Sequence, residues 1–243
     1  MVEILEDDND LCIHPPEFLC EKPLGKVPPP LPCNNHFAAF IGPPGSGKTS
    51  LAISLLVQTS PKLYHCVFDR VFIFMPKNSI ESLADSPFKN HRRVYHEFTQ
   101  ETLANVVEEA KTLSSQKKTS LMIIDDFMVE LKNTELRKDL ERVAGNRRHL
   151  RLSTWILTQT YRSIPLTTRK LITHVFFFRP QNIKELISLR EELLPIDKAT
   201  FEAFYQHTFD DEEPHTFMLI DVTTGAIYKN FKRLSTIKMH SSL

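Results

Sequence analysis

Three of the chain's six glycines, Gly42, Gly45 and Gly47, fall within six positions, and Lys48, Thr49 and Ser50 follow at once. The whole stretch reads Gly42-Pro43-Pro44-Gly45-Ser46-Gly47-Lys48-Thr49-Ser50. Its spacing, Gly-x-x-x-x-Gly-Lys-Thr, is that of a loop that cradles phosphate. Glycines let a backbone turn tightly and bring its amides against phosphate oxygens with no side chain between. Lys48 supplies a point charge for the β and γ phosphates, and the Thr49 hydroxyl can hold Mg²⁺. A helix opening near Lys48 adds the positive end of its dipole. The chemistry implied is binding of a nucleoside triphosphate, ATP, with Mg²⁺.

Such a site needs a carboxylate, and "SLMIIDDF" supplies it. Residues 121 to 124 are apolar and run through a sheet, so Asp125 emerges at the carboxyl end of a strand, where ligands of open α/β sheets sit. Asp125 is the expected metal ligand, directly or through water. Asp126 is expected to orient the attacking water or accept its proton. The alternative is a surface turn that caps the next helix. A third strand, "STWILTQTY", ends in Thr158, Gln159 and Thr160. Some P-loop proteins insert a strand between the phosphate-loop strand and the acidic one. In those a polar residue at this place senses the γ-phosphate, and Gln159 is the candidate.

The elements that must hold these groups follow from apolar periodicity. Buried strands are expected over 36–41, 70–75, 120–125, 153–160 and 174–178, and helices over 48–59, 98–115 and 135–146. Thr99 is the expected cap of the second helix and Gly145 the expected end of the third. A short helix is expected after Pro165, and two more over 182–193 and 197–209. A hairpin around Thr224-Gly225 closes the pattern. Strands of nearly uniform apolar character alternating with helices imply an α/β fold, a mostly parallel sheet covered on both faces. Residues 36–243 are read as one ATPase domain.

Residues 1–35 are richer in proline, as in "HPPEFLCEKPLGKVPPPLP", and read as a leader over 1–20 and, over 21–35, as either more of that leader or an extended arm that lies on a neighbouring subunit. Cys12, Cys20, Cys33 and Cys66 form no CxxC pair, so free thiols in a reducing compartment are favoured over zinc with His14 or His36. No leader peptide for secretion is visible, and no apolar run approaches the roughly 20 residues that span a bilayer. These features imply a soluble intracellular protein. Lysine plus arginine equals aspartate plus glutamate, 30 each, which excludes a global positive field for nucleic acid.

The strings "GPPGSGKT", "LMIIDD", "NRRHLRLSTWILTQTY" and "SIPLTTRKLITHVFFFRP" together resemble the genome-packaging ATPases of large double-stranded DNA viruses. These are the poxvirus and giant-virus type, with virophage and polinton-like relatives, within the FtsK–HerA group of ring-forming translocases. The resemblance covers roughly residues 36–185 and the closing hairpin. It implies an ATP-driven motor that works as a homo-oligomeric ring, a hexamer or pentamer. Its implied partners are double-stranded DNA and proteins of a capsid or portal-like vertex. The host cytoplasm or viral factory, with retention in the virion, is the implied location. The wider group has Glu where this chain has Asp126, and the shorter side chain sets the carboxylate back. Arg148, beside His149, and Arg169 match the family's arginines, and either is a candidate to reach a neighbouring subunit's site in trans; Arg148 also reads as solvating a helix end. "KNHRRVYHEF" (89–98) and "NRRHLR" (146–151) are the local basic clusters available for DNA phosphates, or else ordinary solvated loops. Two other functions fit the loop: a small-molecule kinase, for which no arginine-rich lid is visible, and an ATP-gated assembly scaffold with little turnover.

Overall fold

The computed structural model describes residues 23–83, 87–211 and 213–235. In chain order they form β1 (Phe37–Ile41), α1 (Lys48–Val57), β2 (Arg70–Phe74), α2 (Lys77–Glu81), β3 (Val94–Tyr95), α3 (Gln100–Ser115), β4 (Ser120–Asp125), α4 (Thr134–Gly145), α5 (Arg147–Leu150), β5 (Leu152–Thr158), α6 (Leu166–Arg169), β6 (His174–Phe178), α7 (Ile183–Leu193), α8 (Lys198–Phe209), β7 (Phe217–Asp221), β8 (Ala226–Lys229) and β9 (Lys232–Arg233). The strands make one sheet in the order β3-β2-β4-β5-β1-β6-β7-β8-β9. The first six in that order are parallel, and β7, β8 and β9 continue antiparallel from β6. β5 lies between β1 and β4, pairing Ile41 with Thr158 and Asp125 with Leu157. The phosphate-loop strand and the acidic strand are therefore separated by the strand that leads to Gln159.

Alternation along each strand divides the core in two, because successive side chains point to opposite faces. Phe37, Ala39 and Ile41 of β1, with Met122 and Ile124 of β4, meet the apolar stripes of α3, α4, α7 and α8. Ala38 and Phe40, with Leu121 and Ile123, meet Ala52 and Leu55 of α1 on the other face. Among the described residues that second face has a single long helix, joined by Tyr64 and Phe68, Ile80 of α2, Phe88 and the proline-rich segment. Leu24 and Leu31 are buried there, and Pro32 accepts a hydrogen bond from the Tyr64 hydroxyl at 2.8 Å. The described part of the arm thus lies on its own chain. The expected leader over 1–20, with Cys12, His14 and Cys20, falls outside the described residues; Cys33 and Cys66 are exposed free thiols.

Four described helices of ten or more residues have side-chain caps. Thr99 accepts from the Thr102 amide, Asn133 from Glu135 and Leu136, Asn182 from Lys184, and Asp197 from Thr200. Gly145 ends α4 as expected, though without a positive φ; the turn into β5 is made one helix later by Arg151, left-handed at φ 47°. One boundary differs from expectation. The strand expected over 153–160 stops at Thr158, which leaves Gln159 and Thr160 free of sheet pairing. No described helix is long and apolar enough to cross a membrane.

Candidate functional site: a phosphate loop facing two aspartates

The loop leaves β1 at Gly42, whose amide donates to the Thr158 carbonyl at 3.1 Å. A Cβ at Gly42 would stand 2.6 Å from Phe178 Cβ and 2.8 Å from Ser46 Oγ, so only glycine fits. Gly45 and Gly47 are left-handed, at φ 76° and 102°. The loop delivers the chain to α1, the one described helix of ten or more residues with no side-chain cap. The first amides of a helix need partners. Here they face a cleft instead of a capping side chain, which is the arrangement an anionic ligand completes.

Lys48, in the first turn of α1, reaches back along the loop. Its Nζ donates to the carbonyls of Gly42 at 2.7 Å and Pro43 at 3.0 Å. Burial lowers its pKa, against the raising pull of Asp125 and Asp126. One residue on, the Thr49 hydroxyl donates to Asp125 Oδ2 at 3.0 Å. Burial pushes the Asp125 carboxyl up to about 6, although Thr49 and Lys48 both pull it down. A buried carboxylate with one hydroxyl partner and no direct ion pair among the described residues fits a hard divalent ion. Mg²⁺ takes one or two protein oxygens and keeps its waters, and Thr49 with Asp125 offers such a pair.

Asp126 begins the loop after β4 in a left-handed conformation, φ 62°, with its amide bonded to the Leu157 carbonyl at 3.1 Å. A left-handed non-glycine residue is costly, and such strain concentrates at functional sites. The turn aims its carboxylate along the sheet top toward Gln159, whose Nε2 is 3.5 Å from Asp126 Oδ1. A cavity of about 300 Å³ is lined by Pro44, Gly45, Lys48, Thr49, Asp125, Asp126 and Gln159. The structure therefore brings together the loop from Gly42 to Ser50, both aspartates and Gln159. Ser79, within α2, and Ser82, just after it, line the same cavity. No sequence signal marked them, since "PKNSIESL" has neither a motif nor a clear period.

The arginines lie elsewhere. Arg148 sits on α5, at the amino end of β5, a strand length or roughly 20 Å from the loop. It lines a different cavity, with Asn34, His174 and Asp221. Arg169 is engaged within its own chain. Its Nη1 pairs with Glu192 at 3.0 Å, and its guanidinium lies 4.8 Å from the centre of the Tyr161 ring. The Tyr161 hydroxyl bonds the same Glu192 at 3.0 Å, closing the group. In the 89–98 cluster, Arg93 is held by Glu109 in a two-pronged pair, while Lys89 and Arg92 are exposed.

A phosphate loop between β1 and α1, an acidic tip on β4 and an intervening β5 define a P-loop NTPase of the added-strand class. Within that class the chain belongs to the family described as Poxvirus A32 protein, whose model matches residues 32–191. The fold is also that of B204, the DNA-packaging ATPase from Sulfolobus turreted icosahedral virus, at 17% identity and TM-score 0.58, over 83% of this chain and 98% of that one. The genome-packaging NTPase B204 from Sulfolobus turreted icosahedral virus 2, in complex with AMP, gives 16% identity and TM-score 0.58 over 82% and 98%. EssC (ATPases 2 and 3) from Geobacillus thermodenitrificans aligns at 11% identity and TM-score 0.55, over 84% of this chain and 40% of that one. At these identities the likeness establishes the fold. No curated protein matches the chain by sequence.

Proposed function

We propose that this protein is the ATP-hydrolysing motor that drives double-stranded viral DNA into a preformed capsid. The observation that carries the reading is the uncapped start of α1, set against the Thr49–Asp125 pair and flanked by Asp126 and Gln159. Family membership and the fold shared with B204 support the assignment to genome packaging.

The steps follow from the side chains. The loop amides and the start of α1 take the triphosphate, and Lys48 exchanges two neutral carbonyls for phosphate oxygens. Bound Mg²⁺, held by Thr49 and Asp125, would screen charge on the phosphates. Asp126 orients the attacking water and receives its proton, and Gln159 holds that water and the γ-phosphate in line. Arg148 is out of reach of its own site, so any contribution to charge in the transition state is made in a neighbouring subunit of a ring. Rings mixed from Arg148→Ala and Lys48→Ala subunits test this: recovered activity supports a trans role, and none overturns it. The exposed Lys89 and Arg92 are surface cations for duplex phosphates.

A hydrolysis assay with and without long duplex DNA, on wild type and Lys48→Ala, decides among the functions. Stimulation by duplex, lost in Lys48→Ala, is the expected result. Turnover only with a small acceptor would make the protein a kinase. Binding with negligible turnover would make it a scaffold.

A further inference from the structure

The phosphate loop is touched from outside by a residue that belongs to none of its motifs. His215 stands two residues before β7, and its Nδ1 lies 3.1 Å from the Ser46 carbonyl oxygen. A carbonyl only accepts, so Nδ1 carries the proton and donates it. The backbone of His215 is left-handed, φ 66°. The approach is close: a Cβ at Gly47 would stand 2.9 Å from the same Nδ1. Gly47 is thus required twice, by its own φ and by the imidazole.

The Ser46 carbonyl and the Gly47 amide are the two ends of one peptide unit. That unit is trans, since the cis bonds among the described residues are at Pro30 and Pro61. In a planar trans peptide the C=O and N–H point in opposite directions. Fixing the carbonyl on the His215 side therefore turns the amide to the opposite side of the peptide, away from the imidazole. A carbonyl that accepts a hydrogen bond also polarises its unit and makes the N–H a better donor. The Gly47 amide donates to no described atom.

The base that carries His215 is itself rigid. The Phe217 amide donates to Asn230 Oδ1 at 3.1 Å, and the Asn230 amide returns to the Phe217 carbonyl at 2.8 Å. The Phe217 ring packs 5.7 Å from that of Phe178, the residue whose Cβ forbids a side chain at Gly42. The C-terminal hairpin thus meets the loop at both ends, at Gly42 through Phe178 and at Ser46–Gly47 through His215.

We propose that His215 is a positioning residue for triphosphate binding: by holding the Ser46 carbonyl it presents the Gly47 amide to a phosphate oxygen. This rests on reading the loop as the ATP site. The test measures displacement of a fluorescent ATP analogue by ATP and by inorganic tripolyphosphate, together with kcat and KM. His215→Gly removes the ring without straining the left-handed backbone. It should weaken ATP and tripolyphosphate alike by roughly fivefold, about the worth of one hydrogen bond, and raise KM more than it lowers kcat. His215→Asn tolerates the same φ and places an N–H near the Nδ1 position, so it should restore affinity to within about twofold of wild type. Unchanged tripolyphosphate affinity in His215→Gly overturns the proposal, and a loss confined to ATP would move the ring's role to the base. Failure of His215→Asn to rescue also overturns it. A wild type that binds neither probe removes the ATP-site reading itself, a distinct result.

Discussion

The two ends of the central sheet use polar side chains in opposite ways. At the amino end, buried polar groups are spent on one another. The Trp155 indole donates to His36 Nε2 at 2.8 Å, and His36 Nδ1 donates to the Asn34 carbonyl at 2.9 Å. Thr173 both accepts from the Phe37 amide and donates to its carbonyl, each at 3.1 Å. At the carboxyl end the groups are held apart. Lys48 rests on two carbonyls, Asp125 has one hydroxyl, and Asp126 is fixed in a strained turn. Ligand sites in open α/β sheets lie at this end. Apart from the buried Ser120 and Thr154 hydroxyls, the amino end is paired as folded; the carboxyl end has interactions that a triphosphate and its metal would supply.

Lys48→Ala breaks the comparison most sharply. Hydrolysis should fall by about a thousandfold or more, since the cation proposed to meet the transferring phosphoryl group is lost. The urea midpoint should barely move, because the ammonium binds only carbonyls that the cleft can hydrate. A large loss of stability would mean that Lys48 belongs to the fold, as the amino-end groups do.

That contrast also explains what the sequence made legible. Gly42, Gly47, Lys48 and Thr49 obey a fixed spacing because one phosphate chain must meet all of them, and Asp125 follows an apolar run because the strand must cross the core first. The long elements are legible for the same reason, since a buried stripe imposes a period. β3 is two residues long and α2 five, too short to carry one. The network of His36, Trp155 and Thr173 is assembled from strands that are distant in the chain, so no local pattern encodes it. His215 reaches the loop only because β7 returns antiparallel beside β6. Arg169 matched a motif, yet its partner Glu192 is set by the packing of α7.

Asp126 sharpens the comparison, because strain and function meet in one residue. Asp126→Gly should raise stability by about 1 kcal/mol, the relief of a left-handed side chain. The same change should lower kcat by about 100-fold if that carboxylate orients the water as proposed. Asp126→Asn, which tolerates the turn, should lose kcat without gaining stability. If both variants keep wild-type turnover, the water is oriented by another group. The converse holds at the amino end. Trp155→Phe leaves His36 Nε2 buried without its donor and should cost about 2 kcal/mol of stability, with KM for ATP unchanged.

The response of stability to acid bears on both ends together. Burial drives His36 down to about 3 and His174 down to about 4. A histidine whose folded pKa lies below its unfolded value of about 6.5 contributes stability above that value and loses it as pH falls toward the folded pKa. Asp125 has the opposite sign. Its folded pKa of about 6 lies above the unfolded value near 4, so acidification from pH 6 to 4 stabilises the folded state. Wild type should therefore lose stability between pH 6.5 and 4, but less steeply than the histidines alone dictate. Asp125→Asn removes the opposing contribution and should steepen the loss over pH 4–6, while Trp155→Phe lowers the whole curve. Urea titrations of the nucleotide-free protein at half-unit pH steps measure all three. If the Asp125→Asn and wild-type curves run parallel, the carboxylate is already at ease in the empty cleft, and the difference between the two ends of the sheet is not one of electrostatic satisfaction.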